Sequence, residues 1–179
     1  MVVALRIGII SDTHGSLPAS VHQAFDGCGH ILHAGDIGSQ AVLDELEAIA
    51  PLTAVLGNCD RSGYRTLAGS VKGMERFDLD GLRFLMMHRP EDLAAHYRGL
   101  LMARQMPRAK APVPLPQVCV HGHTHVRASR TENSCLIICP GSATRPRDRL
   151  AAAVAILTVE NAKVSDLQFV ELGKFCQIV

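Results

Sequence analysis

Carboxylate, amide and imidazole side chains recur in this sequence, each time directly after a short apolar run. The first run, Val2 to Ile10, predicts a buried strand, and it ends in Ser11-Asp12-Thr13-His14-Gly15. The further residues that follow such runs are Asp36, Asn58, His88, His123 and His125. Ligand groups gather at the carboxyl ends of the strands in an open α/β sheet. The spacing therefore predicts one cluster of side chains, with the chemistry of a metal site.

The donor set favours borderline-hard divalent metals. Oxygen and imidazole donors without a thiolate suit Mn²⁺, Fe, Co²⁺ or Zn²⁺ better than Ca²⁺ or a soft metal. Seven candidate ligands exceed the needs of one ion, which indicates two, and a carboxylate such as that of Asp36 can bridge them. Two ions about 3.5–4 Å apart can share a hydroxide nucleophile and hold both ends of an in-line displacement at phosphorus.

Each of these residues also has an ordinary structural interpretation. Asn58 beside Gly57 could be a turn residue, and Asp36 after Gly35 could cap the next helix. A single histidine is more often a satisfied polar group than a ligand. The coincidence of the whole set at strand ends favours the metal site.

The elements that must position these side chains change character along the chain. Residues 1–60 follow a β-α-β-α-β order, with an amphipathic helix from Gln40 to Ile49, and this order predicts a parallel sheet. Asp80-Gly81 predicts a hairpin, and Asp92 to Met106 predicts a helix. The later strands are predicted at Gln117–Val120, Val126–Arg130, Leu136–Cys139, Ala151–Val159 and Val164–Leu172. We therefore expect two facing sheets with helices outside, rather than a single Rossmann sheet.

Composition excludes several classes of function. A formal net charge of +1 gives no electrostatic case for a dedicated nucleic-acid or membrane partner. No apolar run approaches the roughly 18 residues of a membrane span, and no signal peptide is visible at Met1. The six cysteines lack Cys-x-x-Cys spacing, and we expect reduced thiols in a cytoplasmic protein.

The motifs resemble those of the calcineurin-like metallophosphoesterases. They are Asp12-Thr13-His14, Gly35-Asp36, Gly57-Asn58-Cys59-Asp60, His88 and Gly122-His123-Thr124-His125. The chain length and the Gly-Asn-Cys-Asp form are similar to the small single-domain bacterial and archaeal phosphodiesterases. The resemblance runs from Arg6 to about Leu172. It implies one domain over residues 1–179 and a four-layer α/β/β/α sandwich of two mixed sheets flanked by helices. It also implies two divalent metal ions, most often Mn²⁺, with Fe, Zn, Ni or Co as alternatives.

The resemblance also implies roles for single residues. The first metal would be held by Asp12, His14, Asp36 and His125. The second metal would be held by Asp36, Asn58, His88 and His123, so that Asp36 bridges. The catalytic residues would be Asp36, Asn58, His88, His123 and Cys59.

Three positions depart from the family pattern. Cys59 stands where larger members have a histidine, and a thiol is a poorer general acid near neutral pH than an imidazole. Arg89-Pro90 replaces the usual Gly-His after His88. Cys139 replaces the usual asparagine before Pro140-Gly141-Ser142.

Several other polar residues are candidates for supporting roles. Arg89, Arg145 and Arg147 could contact a substrate phosphate, or could be ordinary solvated side chains. His33 could support a ligand from behind or be a plain core histidine, and His121 is expected to support the ligand loop.

The sequence thus predicts a cytoplasmic phosphodiesterase in which a metal-bridging hydroxide attacks phosphorus. The expected partner is a small phosphodiester substrate. The sequence does not decide whether the protein forms a homo-oligomer. Phosphomonoesterase activity at the same site is an alternative, because the pocket depends on segments such as Pro90 to Pro116. A non-catalytic interaction scaffold, like the retromer subunit of this fold, is a second alternative, although this sequence keeps every metal-binding histidine.

Overall fold

Two five-stranded mixed sheets face each other at the centre of the molecule. The computed structural model describes residues 4–60, 71–105, 114–147 and 149–173. The strands are β1 (Leu5–Ile10), β2 (His30–His33), β3 (Leu52–Ala54), β4 (Met74–Leu79), β5 (Leu82–Met87), β6 (Val118–Val120), β7 (Ala128–Glu132), β8 (Cys135–Cys139), β9 (Ala153–Glu160) and β10 (Lys163–Glu171). The helices are α1 (Ser20–Ala24), α2 (Gln40–Glu47) and α3 (Pro90–Gln105). The strand orders are β10-β9-β1-β2-β3 and β4-β5-β6-β8-β7.

Each sheet combines a parallel centre with antiparallel additions. The strands β1, β2 and β3 are parallel, because α1 and α2 carry the chain back between them. The β9–β10 hairpin adds to this sheet on the other side of β1. In the second sheet β5, β6 and β8 are parallel, while β4 and β7 close the two edges antiparallel. The predicted Asp80-Gly81 hairpin is confirmed, since it joins β4 to β5 with both turn residues at positive φ.

Three apolar cores separate four layers. Ile7, Ile9 and Leu32 of the first sheet pack against Phe84 and Met86 of the second, all of them fully buried or nearly so. The buried stripe of α2 covers the outer face of the first sheet. The helix α3 covers the outer face of the second sheet through its own buried side chains. The four-layer α/β/β/α sandwich predicted from the sequence is therefore confirmed.

Element boundaries differ from the sequence prediction at several ends. Pro90 is the first residue of α3 rather than lying ahead of it, because its fixed φ suits the first turn and its missing N–H costs nothing there. The strand β7 begins at Ala128 rather than Val126, whose N–H donates to the Thr124 hydroxyl at 3.3 Å.

Residues 1–3, Met106 and Cys176 lie outside the described residues. Among the helices of the described chain, none combines the length and apolarity that crossing a membrane requires.

Candidate metal centre

The loops that follow five strands bring the seven predicted ligands together. These loops follow β1, β2 and β3 of one sheet and β5 and β6 of the other. The short distances are His125 Nε2–Asp12 Oδ1 3.1 Å, His14 Nε2–His125 Nε2 3.4 Å, His88 Nε2–Asp36 Oδ1 3.4 Å and His123 Nδ1–Asn58 Oδ1 2.9 Å. Side-chain atoms of Asp12, Asp36 and His88 also lie within 4.8 Å of one another. The seven residues form one continuous cluster.

The imidazole of His125 directs a lone pair at a carboxylate. Its Nδ1 lies 2.5 Å from the carbonyl oxygen of Arg145, so Nδ1 carries the proton and donates it there. A neutral ring then has an unprotonated Nε2, which faces Asp12 Oδ1 at 3.1 Å and the Nε2 of His14 at 3.4 Å. Several electron-rich atoms meeting at one point require a proton or a cation between them.

The imidazole of His88 repeats this arrangement on the other side of the cluster. Its Nδ1 donates to the carbonyl oxygen of Ala34 at 2.7 Å, and its Nε2 points at Asp36 Oδ1 at 3.4 Å. Burial opposes protonation of His88, but the neighbouring carboxylates of Asp36 and Asp12 outweigh it and raise the pKa of the imidazole. Burial also opposes ionisation of Asp36, yet the adjacent His88 ring and the hydrogen bond from the Cys59 N–H hold the pKa of that carboxyl well below its usual range. Without a metal, a proton takes the place of the cation.

Two buried polar atoms of the cluster have no hydrogen-bond partner within the described chain. They are Asp12 Oδ1 and His88 Nε2, and both face other ligand atoms. Buried groups of this kind carry a large desolvation cost unless something satisfies them. Oxygen and imidazole donors at these distances fit a divalent cation, so the residues present suit the predicted cofactor.

Five of the seven residues hold a left-handed backbone conformation. Their φ angles are 55° for Asp12, 49° for His14, 53° for Asp36, 69° for His123 and 60° for His125. Such angles are uncommon outside glycine and cost about 1–2 kcal/mol each. Backbone hydrogen bonds between the first two loops hold them there, including Asp12 N to Gly35 O at 3.0 Å and His14 N to Asp36 O at 2.9 Å. The loops are built to aim these side chains inward.

Asp60 fixes two ligand loops and has no role in the sequence prediction. Its buried carboxylate accepts hydrogen bonds from the backbone N–H groups of Ile37 (3.1 Å), Gly38 (2.9 Å) and Gly57 (2.8 Å). The interpretation of Asp36 as a helix cap is wrong, because the Ser39 side chain caps α2. Sequence reasoning missed the role of Asp60, because its burial and its contacts with the loop of Ile37 and Gly38 do not show in the sequence.

Hydroxyl groups fix the loop that carries Asp12. The Ser11 Oγ donates to Asp12 Oδ2 at 2.6 Å, and the Ser142 Oγ donates to the Asp12 carbonyl oxygen at 2.8 Å. Burial raises the pKa of Asp12, and the Ser11 hydrogen bond opposes that shift. Sequence reasoning did not find either serine, because hydroxyls are common in loops of every kind.

His33 lies behind the ligand loops rather than among the ligands. The Gly35 N–H donates to its Nδ1 at 3.2 Å, so its Nε2 carries the proton and faces the Thr13 hydroxyl at 2.9 Å. The Thr13 hydroxyl in turn donates to the Ile37 carbonyl oxygen at 2.8 Å. Complete burial lowers the pKa of His33 to about 4, which keeps the ring neutral. His33 therefore links the loops after β1 and β2 as a buried neutral residue, without contacting a ligand side chain.

Gly57 makes room for the central carboxylate. A Cβ atom at this position would lie 2.0 Å from Asp36 Oδ1 and 2.2 Å from the Asp36 backbone nitrogen. Both separations are far below any real contact, so the Gly-Asn pair is a requirement of the site and not only of a turn.

Cys59 lies beside the cluster and is exposed. Its N–H donates to Asp36 Oδ1 at 2.8 Å, and the Asn58 amide donates to its sulfur at 3.4 Å. Its sulfur also lies within 4.8 Å of ligand atoms of His14 and Asp36. Desolvation and the neighbouring Asp36 carboxylate raise the pKa of the thiol to about 11, so it stays protonated at neutral pH and is a weak acid.

The three arginines predicted to reach substrate are all exposed. Burial lowers the pKa of His14, and the positive charge of Arg145 adds to that shift. Arg147 donates its backbone N–H to the His125 carbonyl oxygen at 3.3 Å. This hydrogen bond connects the loop of Arg145 and Arg147 to the ligand loop of His125. Arg89 borders a recess beside His88, and its Nε lies 3.9 Å from Glu91. His121 contacts the carbonyl oxygen of Gly122 through its Nδ1 at 3.0 Å, next to the ligand loop.

Comparisons with known proteins agree with the motifs and the fold. The profile of the calcineurin-like phosphoesterase superfamily domain matches residues 5–162. The chain belongs to the calcineurin-like phosphoesterase superfamily. It is thus a metal-dependent phosphoesterase by family, and divalent metal ions are the cofactors of that family.

Two relatives and one solved structure show what this chain is similar to. A protein of Methanothermobacter thermautotrophicus named "Probable metallophosphoesterase" is 31% identical over 175 residues, which cover 94% of each chain. A phosphodiesterase of Methanocaldococcus jannaschii is 27% identical over 151 residues, covering 76% of this chain and 83% of its own. The structure of vacuolar protein sorting 29 from Cryptosporidium parvum has a TM-score of 0.68 at 18% identity, covering 96% of this chain and 99% of its own.

Proposed function

We propose that this protein hydrolyses a small phosphodiester with two divalent metal ions held by the seven-residue cluster. The observation that supports it best is the pair of imidazoles, His125 and His88, whose Nε2 atoms face the carboxylates of Asp12 and Asp36 at 3.1 Å and 3.4 Å. Carbonyl oxygens fix both rings from behind, which is how proteins orient a histidine toward a metal. Asp12, His14, Asp36 and His125 would hold one ion, and Asp36, Asn58, His88 and His123 the other.

When bound, divalent ions would supply a hydroxide nucleophile at neutral pH and would neutralise charge that develops on the phosphoryl group. The residues of this chain then have separate tasks. Asp36 bridges the two halves of the cluster, and its position is fixed by the Cys59 N–H. Asn58 contacts the His123 ring and keeps it in place at 2.9 Å. Arg145 offers a fork of N–H donors for a phosphate oxygen, and Arg89 and Arg147 are further candidates for that contact.

Departure of the leaving group favours diesters with acidic alcohols. A Cys59 thiol with a pKa of about 11 is a weak general acid at neutral pH. An aryl or another stabilised leaving group departs without that proton. The phosphodiesterase among the relatives supports a diester substrate over a monoester. Manganese as the resident metal and the cytoplasmic location stay predictions.

A scaffold function is the second candidate, because the fold is shared with vacuolar protein sorting 29. That protein's name indicates a role in sorting and not in hydrolysis. A scaffold that binds no metal does not need a complete set of oriented metal ligands. Their presence in this chain therefore favours an enzyme over a scaffold.

The test is hydrolysis of bis(p-nitrophenyl) phosphate and p-nitrophenyl phosphate by metal-stripped protein, with Mn²⁺, Ni²⁺, Zn²⁺ or Mg²⁺ added back in turn. We expect metal-dependent cleavage with a preference for the diester. Monoester cleavage alone would make the protein a phosphomonoesterase, and two bound ions without turnover would favour the scaffold.

The matched variants are Asp36→Asn and Asp44→Asn. Asp36→Asn should lower bound metal measured by mass spectrometry and abolish turnover, because it removes the bridging charge. Asp44 is an exposed residue of α2 that hydrogen-bonds Gln40, so Asp44→Asn should match the wild type in both measurements. Full turnover by Asp36→Asn would refute the bridging role.

A further inference from the structure

A recess of about 150 Å³ opens directly beside the second half of the metal cluster. Asn58 and His88, two of the proposed ligands of the second ion, are among the residues that line it. Half-buried Leu56 and Met87 line it with apolar surface, and the exposed side chains of Arg89 and Asp92 border it. A group bonded to the reacting phosphate would enter this space first.

The size of the recess limits what it can hold. Its volume equals the liquid share of about five water molecules, at roughly 30 Å³ each. Pockets for drug-sized ligands are larger, about 300–1,000 Å³. One sugar ring or a glycerol group fits this space, whereas a whole nucleoside would extend out of it.

Asp92 supplies an acceptor at the border of the recess. It lies in the first turn of α3, three residues after Arg89. Within the described part of the chain no group donates a hydrogen bond to its carboxylate and no cation pairs with it, whereas the adjacent Glu91 lies 3.9 Å from Arg89. A carboxylate binds hydroxyl groups of a sugar strongly, because it accepts charge-assisted hydrogen bonds on two oxygens.

We propose that this recess binds a vicinal diol on the ester group of the substrate, with the Asp92 carboxylate accepting from its two hydroxyls. The apolar side chains of Leu56 and Met87 would contact the C–H face of the same group. This inference rests on the proposed phosphodiesterase function and adds the chemical class of the ester group. It also assigns Arg89 to the border of this recess, beside the ester group.

The test compares three diesters of p-nitrophenol by kcat/KM in the metal-loaded protein. They carry uridine 5′-phosphate, its 2′-deoxy analogue, or glycerol 1-phosphate, and bis(p-nitrophenyl) phosphate serves as the reference substrate without a diol. We expect the uridine ester to exceed its deoxy analogue by about tenfold to a hundredfold, the usual effect of a hydrogen bond to a charged group. A glycerol ester that matches or exceeds the uridine ester would identify glycerol as the source of the diol.

The variant Asp92→Asn replaces one acceptor oxygen with a donor and should bring the ribose-to-deoxyribose ratio close to one. Glu91→Gln removes the same charge one residue away, outside the recess, and should keep the wild-type ratio. Equal turnover of the ribose, deoxyribose and glycerol esters by the wild type would overturn the diol site and leave the phosphodiesterase intact. A wild-type ratio that persists in Asp92→Asn would also overturn it. Failure to cleave bis(p-nitrophenyl) phosphate or any other diester would overturn the proposed function, and the diol site with it.

Discussion

Replacing Asp60 by asparagine should destabilise the protein without touching a metal ligand. The Asp60 side chain is 1% exposed and accepts three backbone hydrogen bonds, two on Oδ2 and one on Oδ1. In Asp60→Asn one oxygen becomes an NH₂ group that faces the N–H of Gly38, so one bond is lost. The other two bonds then go to a neutral acceptor.

The expected loss follows from the strength of these bonds. Hydrogen bonds to a charged group stabilise by about 1.5–3 kcal/mol each, and neutral ones by about 1 kcal/mol. Asp60→Asn should therefore lower the free energy of unfolding by roughly 3–5 kcal/mol, at the upper end for a single substitution. Because Asp60 holds the loops of Asp36 and Asn58 together, metal affinity should fall as well.

Urea denaturation of metal-stripped protein measures the first effect, and titration with Mn²⁺ measures the second. Asp44→Asn changes the same charge on an exposed helix face and should stay within about 0.5 kcal/mol of the wild type. A free energy of unfolding for Asp60→Asn within 1 kcal/mol of the wild type would show that the three hydrogen bonds do not hold the loops, and the account of Asp60 would be wrong.

Three further predictions follow from glycine, histidine and arginine positions. Gly57→Ala should displace Asp36 and abolish metal binding. In the control Gly99→Ala in α3, nothing lies within 4 Å of the new Cβ, and the substitution should stabilise the fold by about 0.5–1 kcal/mol. Calorimetry with and without Mn²⁺ distinguishes the two effects. His33 is neutral in the fold with a pKa of about 4 and titrates near 6.5 when unfolded, so the unfolded state takes up the proton first as pH falls. The stability that His33 contributes is thus complete above pH 6.5 and declines toward pH 4, and His33→Phe should flatten this slope by up to about 1.4 kcal/mol per pH unit in urea titrations. An unchanged slope would contradict the buried neutral ring. Arg145→Ala should raise KM for bis(p-nitrophenyl) phosphate about tenfold with a smaller change in kcat, and an unchanged KM would remove Arg145 from the substrate site.

The fold could be predicted from the sequence because local patterns determine most of its elements and their pairing. The β-α-β-α-β order of residues 1–60 required a parallel sheet, and Asp80-Gly81 required a hairpin. The second half of the chain contains mostly strands, and this change distinguished a fold of two facing sheets from a single Rossmann sheet. Strand ends were less predictable, because an apolar run continues past the last residue of the regular strand. The run from Leu52 to Leu56 shows this, since β3 ends at Ala54 although the Val55 N–H still donates to the His33 carbonyl oxygen at 3.0 Å and Val55 forms an isolated bridge to Lys72.

The candidate ligands could be chosen from the sequence because residue type and strand-end position both point to them. The supporting residues could not. Ser11 and Ser142 contact backbone groups that are 130 residues away in the chain, and Asp60 contacts Ile37 and Gly38, which are 23 and 22 residues away. Nothing in the local sequence reveals such partners.

The cluster draws its ligands from both sheets, and this affects how the molecule comes apart. Asp12, His14, Asp36 and Asn58 follow strands of one sheet, while His88, His123 and His125 follow strands of the other. In the metal-free protein hydrogen bonds join the two sheets at this edge, among them Ser142 Oγ to the Asp12 carbonyl oxygen at 2.8 Å and His88 Nδ1 to the Ala34 carbonyl oxygen at 2.7 Å. Ions bound across the edge would add a further cross-link between the sheets. Hydrogen exchange of the backbone amides at this edge should then be slower with metal than without it.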